Sequence, residues 1–568
     1  MKGSLFWILL VHIFLVAYQG EVGGSHEVQK NLHYNPKQPY RTAFHFQPAK
    51  NWMNGPMYYK GIYHLFYQYN PYAAVWGNIT WGHSVSHNLV DWIDLEHAIS
   101  PTEPYDINGC WSGSATILPG KDYPVILYTG ADFNNRQVQN LAMPKNPYDP
   151  YLREWKKAKQ NPLMTPVNDI DPQFFRDPTT AWRGPDKRWR VVVGSQINGH
   201  GTALLYHSKD FITWTKSQKP LHFSNKTIMW ECPDFYPVSV IGRNGLDTSV
   251  HPKTARHVLK ASFNDHDHYI IGSYEPQTDK FTPDTDFMDS NVKLRYDYGM
   301  FYASKSFYDS AKRRRILWGW ITEADSKSDD VEKGWSGLQS IPRSILLDKT
   351  GKQLSQWPVK EIERLRRKEV NIQNKEIKGG TIFEITGITA SQADVEVSFH
   401  LPNLHNAELV HPEKLVDPQI LCSEKNSSTG GVIGPFGLMI LASENLTEHT
   451  DVFFKVFKSQ HDDKYAVLMC SDQSRSSLNK EVNKSSFGAF LDVDPTKSIS
   501  VRSLIDHSII ESFGGRGKTC ITSRVYPEFA VGDKSHLYVF NYGKKSVTIS
   551  NLCAWSMGRA KNFPAQRK

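Results

Sequence analysis

The sequence predicts an all-β protein, a propeller of four-stranded blades followed by two packed antiparallel sheets. Three observations carry this expectation. From Tyr58 to about Arg343, short β-branched and aromatic runs recur roughly every 60 residues, separated by turn residues, with no long helical pattern between them. They include Gly61 to Tyr69, Val125 to Tyr128, Arg190 to Val193, His268 to Ile271 and Arg315 to Trp320. A weak internal repeat accompanies them. His83-Ser84-Val85-Ser86-His87-Asn88-Leu89-Val90-Asp91-Trp92 is similar to Tyr206-His207-Ser208-Lys209-Asp210-Phe211-Ile212-Thr213-Trp214. In each, a strand ends in Ser, a polar turn follows, and an apolar residue and a Trp lead into the next strand, as in repeat architectures. Two copies do not count the blades. Further on, Asp394 to Phe399 alternates with period two, as a half-buried strand does, and similar runs continue to Phe540. Two packed sheets account for this second region most economically. Between the two regions, Gln356 to Arg367 carries Val359, Ile362 and Leu365 on one side and reads as a connector helix.

A chain of 568 residues is too long for one ordinary domain. Aromatic residues make up 12%, with 16 Trp and 26 Tyr, which serves either cross-strand pairing or stacking on sugars. The formal charge is +8 and is spread along the chain; runs such as Arg313-Arg314-Arg315 are short. Nucleic-acid binding needs a concentrated basic face and a recognisable module, and neither is present. A diffuse positive surface suits weak retention on an acidic polymer such as pectin, or is simply solvated.

Lys2 precedes an apolar run from Leu5 to Ala17, followed by small and polar residues to Ser25, the pattern of a secretory signal peptide over residues 1–24. That run is too short to span a membrane, and no other segment approaches the roughly 20 apolar residues a span needs. Sequons at Asn78, Asn225, Asn426, Asn445 and Asn483 agree with secretion. Six cysteines are too few for a disulfide framework at this length; Cys422 and Cys470, flanking strand-like runs, are the candidate bridge.

Two acids stand in unusual surroundings: Asp177 in Phe174-Phe175-Arg176-Asp177-Pro178, and Glu231 in Met229-Trp230-Glu231-Cys232-Pro233-Asp234. Each follows aromatic residues and precedes a Pro, placing it at a strand end. An acid beside Trp is desolvated and suited to general-acid work, while Arg176 next to Asp177 is expected to hold that carboxylate ionised. Carboxylates set apart in this way serve glycoside hydrolysis; two ordinary turn acids are the alternative. Asp265-His266-Asp267-His268 lacks the companions a metal site requires. No cofactor and no metal are expected.

These motifs resemble glycoside hydrolase family 32, the plant acid invertases and fructan exohydrolases. The likeness extends to Tyr67-Gln68-Tyr69-Asn70-Pro71, Val75-Trp76-Gly77-Asn78, Gly109-Cys110-Trp111-Ser112-Gly113-Ser114 and Ser471-Asp472-Gln473-Ser474. It implies a five-bladed β-propeller over residues 40–355, a connector helix at 356–368 and a β-sandwich over 369–560. It implies a retaining double displacement on terminal β-fructofuranosyl units of sucrose or fructans. Glu231 is then the acid/base and Asp177 the transition-state stabiliser, with Trp52, Asn54, Gln68, Trp76, Trp111, Ser112 and Arg176 around the fructose. Pro233 resembles the cell-wall type, which places the protein in the apoplast.

Two departures qualify the resemblance. The family reads Trp-Met-Asn-Asp-Pro-Asn-Gly-Pro, and this chain reads Trp52-Met53-Asn54-Gly55-Pro56. The Asp-Pro-Asn tripeptide is absent and the nucleophile with it, and no Asp or Glu occurs between Glu27 and Asp91. In many plant members the tripeptide has its own nine-nucleotide exon, so a skipped mini-exon accounts for the gap. Where invertases carry an Asp-Asp-Thr-Lys-type stretch whose Asp–Lys arrangement helps bind glucose, the matching region here reads Ser262-Phe263-Asn264-Asp265-His266-Asp267-His268, shorter and without the Lys. The expectations are therefore a cell-wall β-fructofuranosidase acting on sucrose, a fructan exohydrolase, or a catalytically impaired fructoside-binding homologue.

Overall fold

The structure, a computed structural model, describes residues 38–48, 52–120, 123–288, 294–401, 404–460 and 464–564. The expected signal peptide lies outside the described residues. Five antiparallel sheets follow one another along the chain. Blade I comprises Trp52–Tyr59, Ile62–Tyr69, Thr80–Ser86 and Trp92–Asp94, and blade II comprises Cys110–Leu118, Tyr123–Ala131, Gln137–Pro144 and Trp155–Lys157. In blade III the innermost strand is broken into Phe175–Arg176 and Trp182–Arg183, ahead of Trp189–Ile197, His200–Ser208 and Trp214–Lys216. Blade IV runs Glu231–Ser239, Ala255–Phe263, His266–Glu275 and Lys280–Pro283; blade V runs Tyr302–Asp309, Arg314–Ile321, Arg343–Leu347 and Leu354–Pro358. The first strand of blade I packs against the first strands of both blade II and blade V, closing the ring. Large apolar side chains fill the spaces between blades, as where Trp92 of blade I meets Trp318 of blade V at 5.3 Å between centroids.

The internal repeat marks the step from third to fourth strand. In blade I, Asn88 Oδ1 accepts from the N–H groups of Val90 (2.9 Å) and Asp91 (2.8 Å). In blade III, Asp210 Oδ1 accepts from Ile212 (2.9 Å) and Thr213 (2.7 Å). Leu89 and Phe211 take the left-handed conformation, with φ of 62° and 68°, three residues before the Trp that opens the outer strand. Blade II repeats the last part with Leu152 (φ 47°) and Trp155, a copy hidden in the sequence by the longer connection before it.

The expected connector helix is corrected. Leu354–Pro358 is a strand, Lys360–Leu365 a short 3-10 helix and Arg366–Ile377 a strand again. Ile362 and Leu365 are three residues apart, which suits the three-residue turn of a 3-10 helix, and both are buried. The chain then extends because Arg366 stacks over Trp555 at 3.6 Å and donates to Asp394 at 2.8 Å. Two helices went unread in the sequence. Lys327–Lys333 opens on a Ser326/Asp329 capping box and closes on left-handed Gly334; Pro418–Glu424 is capped by Asp417.

The second domain is a six-stranded sheet facing a seven-stranded sheet across an apolar core that includes Phe399, Phe436 and Phe454. Cys422 of the second helix is disulfide-bonded to Cys470 in strand Tyr465–Asp472. Among the contacts that tie this domain to the propeller, two stand out. Strand Asn562–Pro564 runs parallel to Trp92–Asp94 and extends blade I. Deep between the domains, His45 joins Asp506 (2.9 Å) and Glu511 (3.0 Å), all fully buried, and Arg343 reaches Glu511 and Asp297. Among the described residues no helix is long and apolar enough to cross a membrane.

Candidate active site

The innermost strands rise to one face of the ring, and there their pairing breaks. Register shifts occur between Met53 and Pro56, Cys110 and Gly113, Glu231 and Asp234, and Tyr302 and Lys305, while blade III interrupts its inner strand outright. A bulge re-aims side chains that strict alternation would send into the blade interfaces. Three non-glycine residues pay for this with left-handed backbones: Asp177 (φ 66°), Cys232 (φ 43°) and Ala303 (φ 52°). Each such conformation costs on the order of 1–3 kcal/mol and is held only where surrounding bonds enforce it. Here Asp177 N–H donates to Thr129 Oγ1 (2.8 Å), Cys232 N–H to Asp177 Oδ2 (2.8 Å) and Ala303 N–H to Asp267 Oδ1 (3.1 Å).

The result is a pocket of about 650 Å³ whose lining includes Gln68, Trp76, Trp111, Ser112, Arg176, Asp177 and Glu231. All the sequence-derived candidates except Trp52 and Asn54 therefore converge. Those two lie on the first strand of blade I, but their side chains are outside the described residues. Gln68 Nε2 donates to Ser112 Oγ at 2.7 Å, and Trp76 meets the edge of Trp111 at 6.3 Å between centroids. The Asn54–Gly55 junction falls inside the bulge of this strand, with blade I paired on either side of it, Met53 opposite Tyr67 and Pro56 opposite Leu65. Gly55 lies so close to Gly113 of blade II that a Cβ would come within 2.9 Å of its carbonyl oxygen.

The two acids do not divide their roles as expected from their neighbours in sequence. Arg176 donates through Nη2 to Glu231 Oε1 at 2.6 Å, while its Nε stands 3.9 Å from Asp177 Oδ2. Trp230 does not cover Glu231; it is buried against His222 and Phe287, on the opposite side of the strand. The Glu231 side chain is 33% exposed to the pocket and that of Asp177 only 5%. Burial pushes the Asp177 carboxyl above its ordinary value, against the opposing pull of Arg176 and Lys305. The guanidinium of Arg176, although buried, is held above its ordinary value by Glu231 and Asp177.

Tyr302, absent from the sequence-derived set, donates its hydroxyl to Glu231 Oε2. Its tyrosyl proton is held tightly, first by burial and then by the charge of Glu231. Its position depends on the bulge at left-handed Ala303, which nothing local in the sequence announces. Lys305, also unforeseen, is buried beneath the pocket and donates to the carbonyl oxygens of Pro233 (3.1 Å) and Asp177 (3.5 Å), tying two strand corners together. Asp177 and Glu231 are the carboxylates among the pocket-lining residues. Asp267 of the Asp-His-Asp-His run points inward to Lys260 at 3.2 Å. Among the described residues one group of three acids is spaced to hold a metal ion, Glu323, Asp325 and Asp330, and the Lys333 ammonium sits among them. A protonated carboxylic acid can donate to a leaving-group oxygen from the Glu231 position, while a buried carboxylate at Asp177 can accept from substrate hydroxyls.

Comparison with known proteins agrees with this geometry. Residues 45–358 match the glycosyl hydrolases family 32 N-terminal domain and residues 361–556 the family 32 C-terminal domain. The chain is 56% identical over 574 residues to a β-fructofuranosidase, insoluble isoenzyme CWINV1, of Arabidopsis thaliana, covering 98% of each chain. It is 55% identical to a fructan 6-exohydrolase of Beta vulgaris, over 93% of this chain and 88% of that one. The crystal structure of fructan 1-exohydrolase IIa from Cichorium intybus superposes with a TM-score of 0.91 at 55% identity, covering 93% of this chain and 99% of that one.

Proposed function

The chain belongs to glycosyl hydrolase family 32, and from that membership we propose that it acts on terminal β-D-fructofuranosides such as sucrose, outside the cell and at the wall. The observation that carries this reading is Glu231 clasped between Arg176 and Tyr302, beside the buried carboxyl of Asp177. In a retaining reaction the acid/base protonates the leaving oxygen while a second carboxylate attacks the anomeric carbon from a separation of roughly 5–5.5 Å. Glu231 takes the first role. Asp177, inward-facing and bonded to Cys232 N–H, binds fructosyl hydroxyls and balances developing charge. Gln68, Trp76, Trp111 and Ser112 complete the fructosyl pocket, with Trp52 and Asn54 assigned to it from the sequence. The attacking carboxylate belongs to the tripeptide missing between Asn54 and Gly55, so this form binds fructosides and turns them over poorly.

The +8 charge supports retention on acidic wall polysaccharide by long-range attraction. Exposed Asn78, Asn225, Asn445 and Asn483, with half-buried Asn426, are the proposed glycan sites. Calorimetric titration with sucrose tests the reading: saturable binding lost in Asp177→Ala supports it, and no heat with any fructoside sinks it.

One feature favours fructans over sucrose. Asn264 and Asp265, with φ of 49° and 60°, form a two-residue turn between paired Phe263 and His266. So tight a turn presents no lysine to a glucosyl unit. Relative hydrolysis of sucrose and inulin by the tripeptide-restored protein separates the two.

A further inference from the structure

The rim of the pocket is uneven. On the pocket face, blades III and IV join their second and third strands through two-residue turns, Asn198-Gly199 and Asn264-Asp265. Blades I and II use longer loops, residues 70–79 and 132–136. The rim is therefore low on one side and raised on the other. The raised side carries Trp76, 53% exposed and lining the pocket, and Phe133, 80% exposed.

Phe133 is held out by its loop. Asp132 Oδ1 accepts from the N–H groups of Asn134 (2.9 Å) and Arg136 (2.9 Å), and Asp132 Oδ2 accepts from Arg136 Nε (2.8 Å). Asn108 Nδ2 donates to the Asp132 carbonyl oxygen (2.9 Å) and to Asn135 Oδ1 (3.0 Å), and Asn135 takes a left-handed φ of 59°. Two residues beyond Phe133, Asn135 turns into the pocket lining, followed by Gln137. The backbone that carries Phe133 is thus braced, and its exposed ring belongs to the loop that leads into the pocket-lining amides. Leaving a ring of that size in water forgoes burial worth about 1.5–3 kcal/mol. A braced loop that keeps it there makes sense when another apolar surface covers it.

We propose that Phe133 is a stacking platform for sugar units beyond the fructosyl group held in the pocket, so that the preferred ligand is an oligofructoside rather than a disaccharide. This rests on the fructoside reading above. The occupant follows from continuity: a chain whose terminal unit sits beside Glu231 must leave over the rim. The two-residue turns of blades III and IV give it room, and the C–H face of a furanose meets the ring on the other side.

The test is calorimetric titration of the full chain with sucrose, 1-kestose and nystose. The expected result is affinity rising about tenfold from sucrose to nystose, the size of one aromatic contact of ~1.4 kcal/mol. Phe133→Ala should collapse the nystose-to-sucrose ratio to below about threefold, and Phe133→Trp should preserve it. Equal affinities for all three sugars, or an unchanged ratio in Phe133→Ala, overturn the platform while leaving the fructoside reading in place. No binding of any of the three overturns both.

Discussion

Arg176 hydrogen-bonds to Glu231 across the pocket at 2.6 Å, although the acid next to it in the chain is Asp177. The left-handed backbone at Asp177 turns that carboxyl inward onto Cys232 N–H and leaves the guanidinium free to cross to blade IV. Arg176 thus orients one acid directly and acts on the other only through its charge.

That charge has a consequence for pH. The Asp177 carboxyl already sits above its ordinary value through burial, and Arg176 is the foremost opposing pull. Asp177 accepts substrate hydroxyls as a carboxylate, so affinity falls as pH drops through its pKa. In Arg176→Ala the opposing pull is gone, the pKa rises further, and affinity is lost starting at a higher pH. Titrations with 1-kestose across pH 4 to 7 would show it; an acid midpoint that does not move contradicts the assignment.

Inserting Asp-Pro-Asn between Asn54 and Gly55 should raise sucrose turnover by roughly four orders of magnitude or more, the usual scale for a covalent nucleophile. Glu231→Gln in the restored chain should remove most of that gain. Steady-state rates on sucrose and inulin decide the matter. Comparable rates with and without the tripeptide would show that another group attacks.

The buried His45 site predicts a stability profile. Burial favours neutral His45, but Asp506 and Glu511 outweigh it and raise its pKa above 6.5. Its contribution is full below 6.5 and is lost as pH rises through the folded value. Asp506 and Glu511 are held below their ordinary values despite burial, by His45 and, for Glu511, Arg343. Their contribution is present above the unfolded values and is lost as pH falls through the folded ones. Stability from this group therefore peaks between about pH 4.5 and 6.5. His45→Gln, which breaks a buried charge network, should cost about 3–5 kcal/mol at pH 5.5 and less at pH 8.5. Denaturant melts at both values test this, and an equal loss at each refutes it.

The bridge between Cys422 and Cys470 joins residues 48 apart and fastens helix Pro418–Glu424 to the seven-stranded sheet. Cys422→Ala with Cys470→Ala should lower stability by about 2–5 kcal/mol. The effect belongs to the second domain, so protease cleavage near residues 411–430 should accelerate while fructoside affinity stays constant. A weakened affinity would mean that the bridge also supports the propeller.

Much of this was legible in the chain. Strand placement followed from short β-branched and aromatic runs, and the Ser-to-Trp repeat proved to be one Asx-type turn used in two blades. Arg176, Asp177 and Glu231 were singled out because acids beside aromatics and Pro mark strand ends. Their electrostatic partners are not their neighbours in sequence, because the left-handed corner at Asp177 turns its carboxyl inward and lets Arg176 reach Glu231. Trp230 packs into the core against His222 and Phe287 instead of covering Glu231. The expected connector helix failed for a related reason: apolar spacing at 359, 362 and 365 serves a 3-10 turn as well as an α-helix, and the extension at Arg366 is fixed by Trp555, nearly two hundred residues away.

The sequence by itself determined the family, the all-β class, the identity of the acids and the absence of a carboxylate at the Asn54–Gly55 junction. These depend on residue type and local order, which a linear chain displays directly. Only the tertiary structure decided which acid Arg176 holds, that Tyr302 and Lys305 belong to the site, and that Phe133 stands at its rim. Those relations come from bulges at the pocket end of the inner strands and from left-handed corners at Asp177, Cys232 and Ala303. Such corners are stable only because Thr129, Asp177 and Asp267 accept their N–H groups, and no window of neighbouring residues contains both halves of that bond.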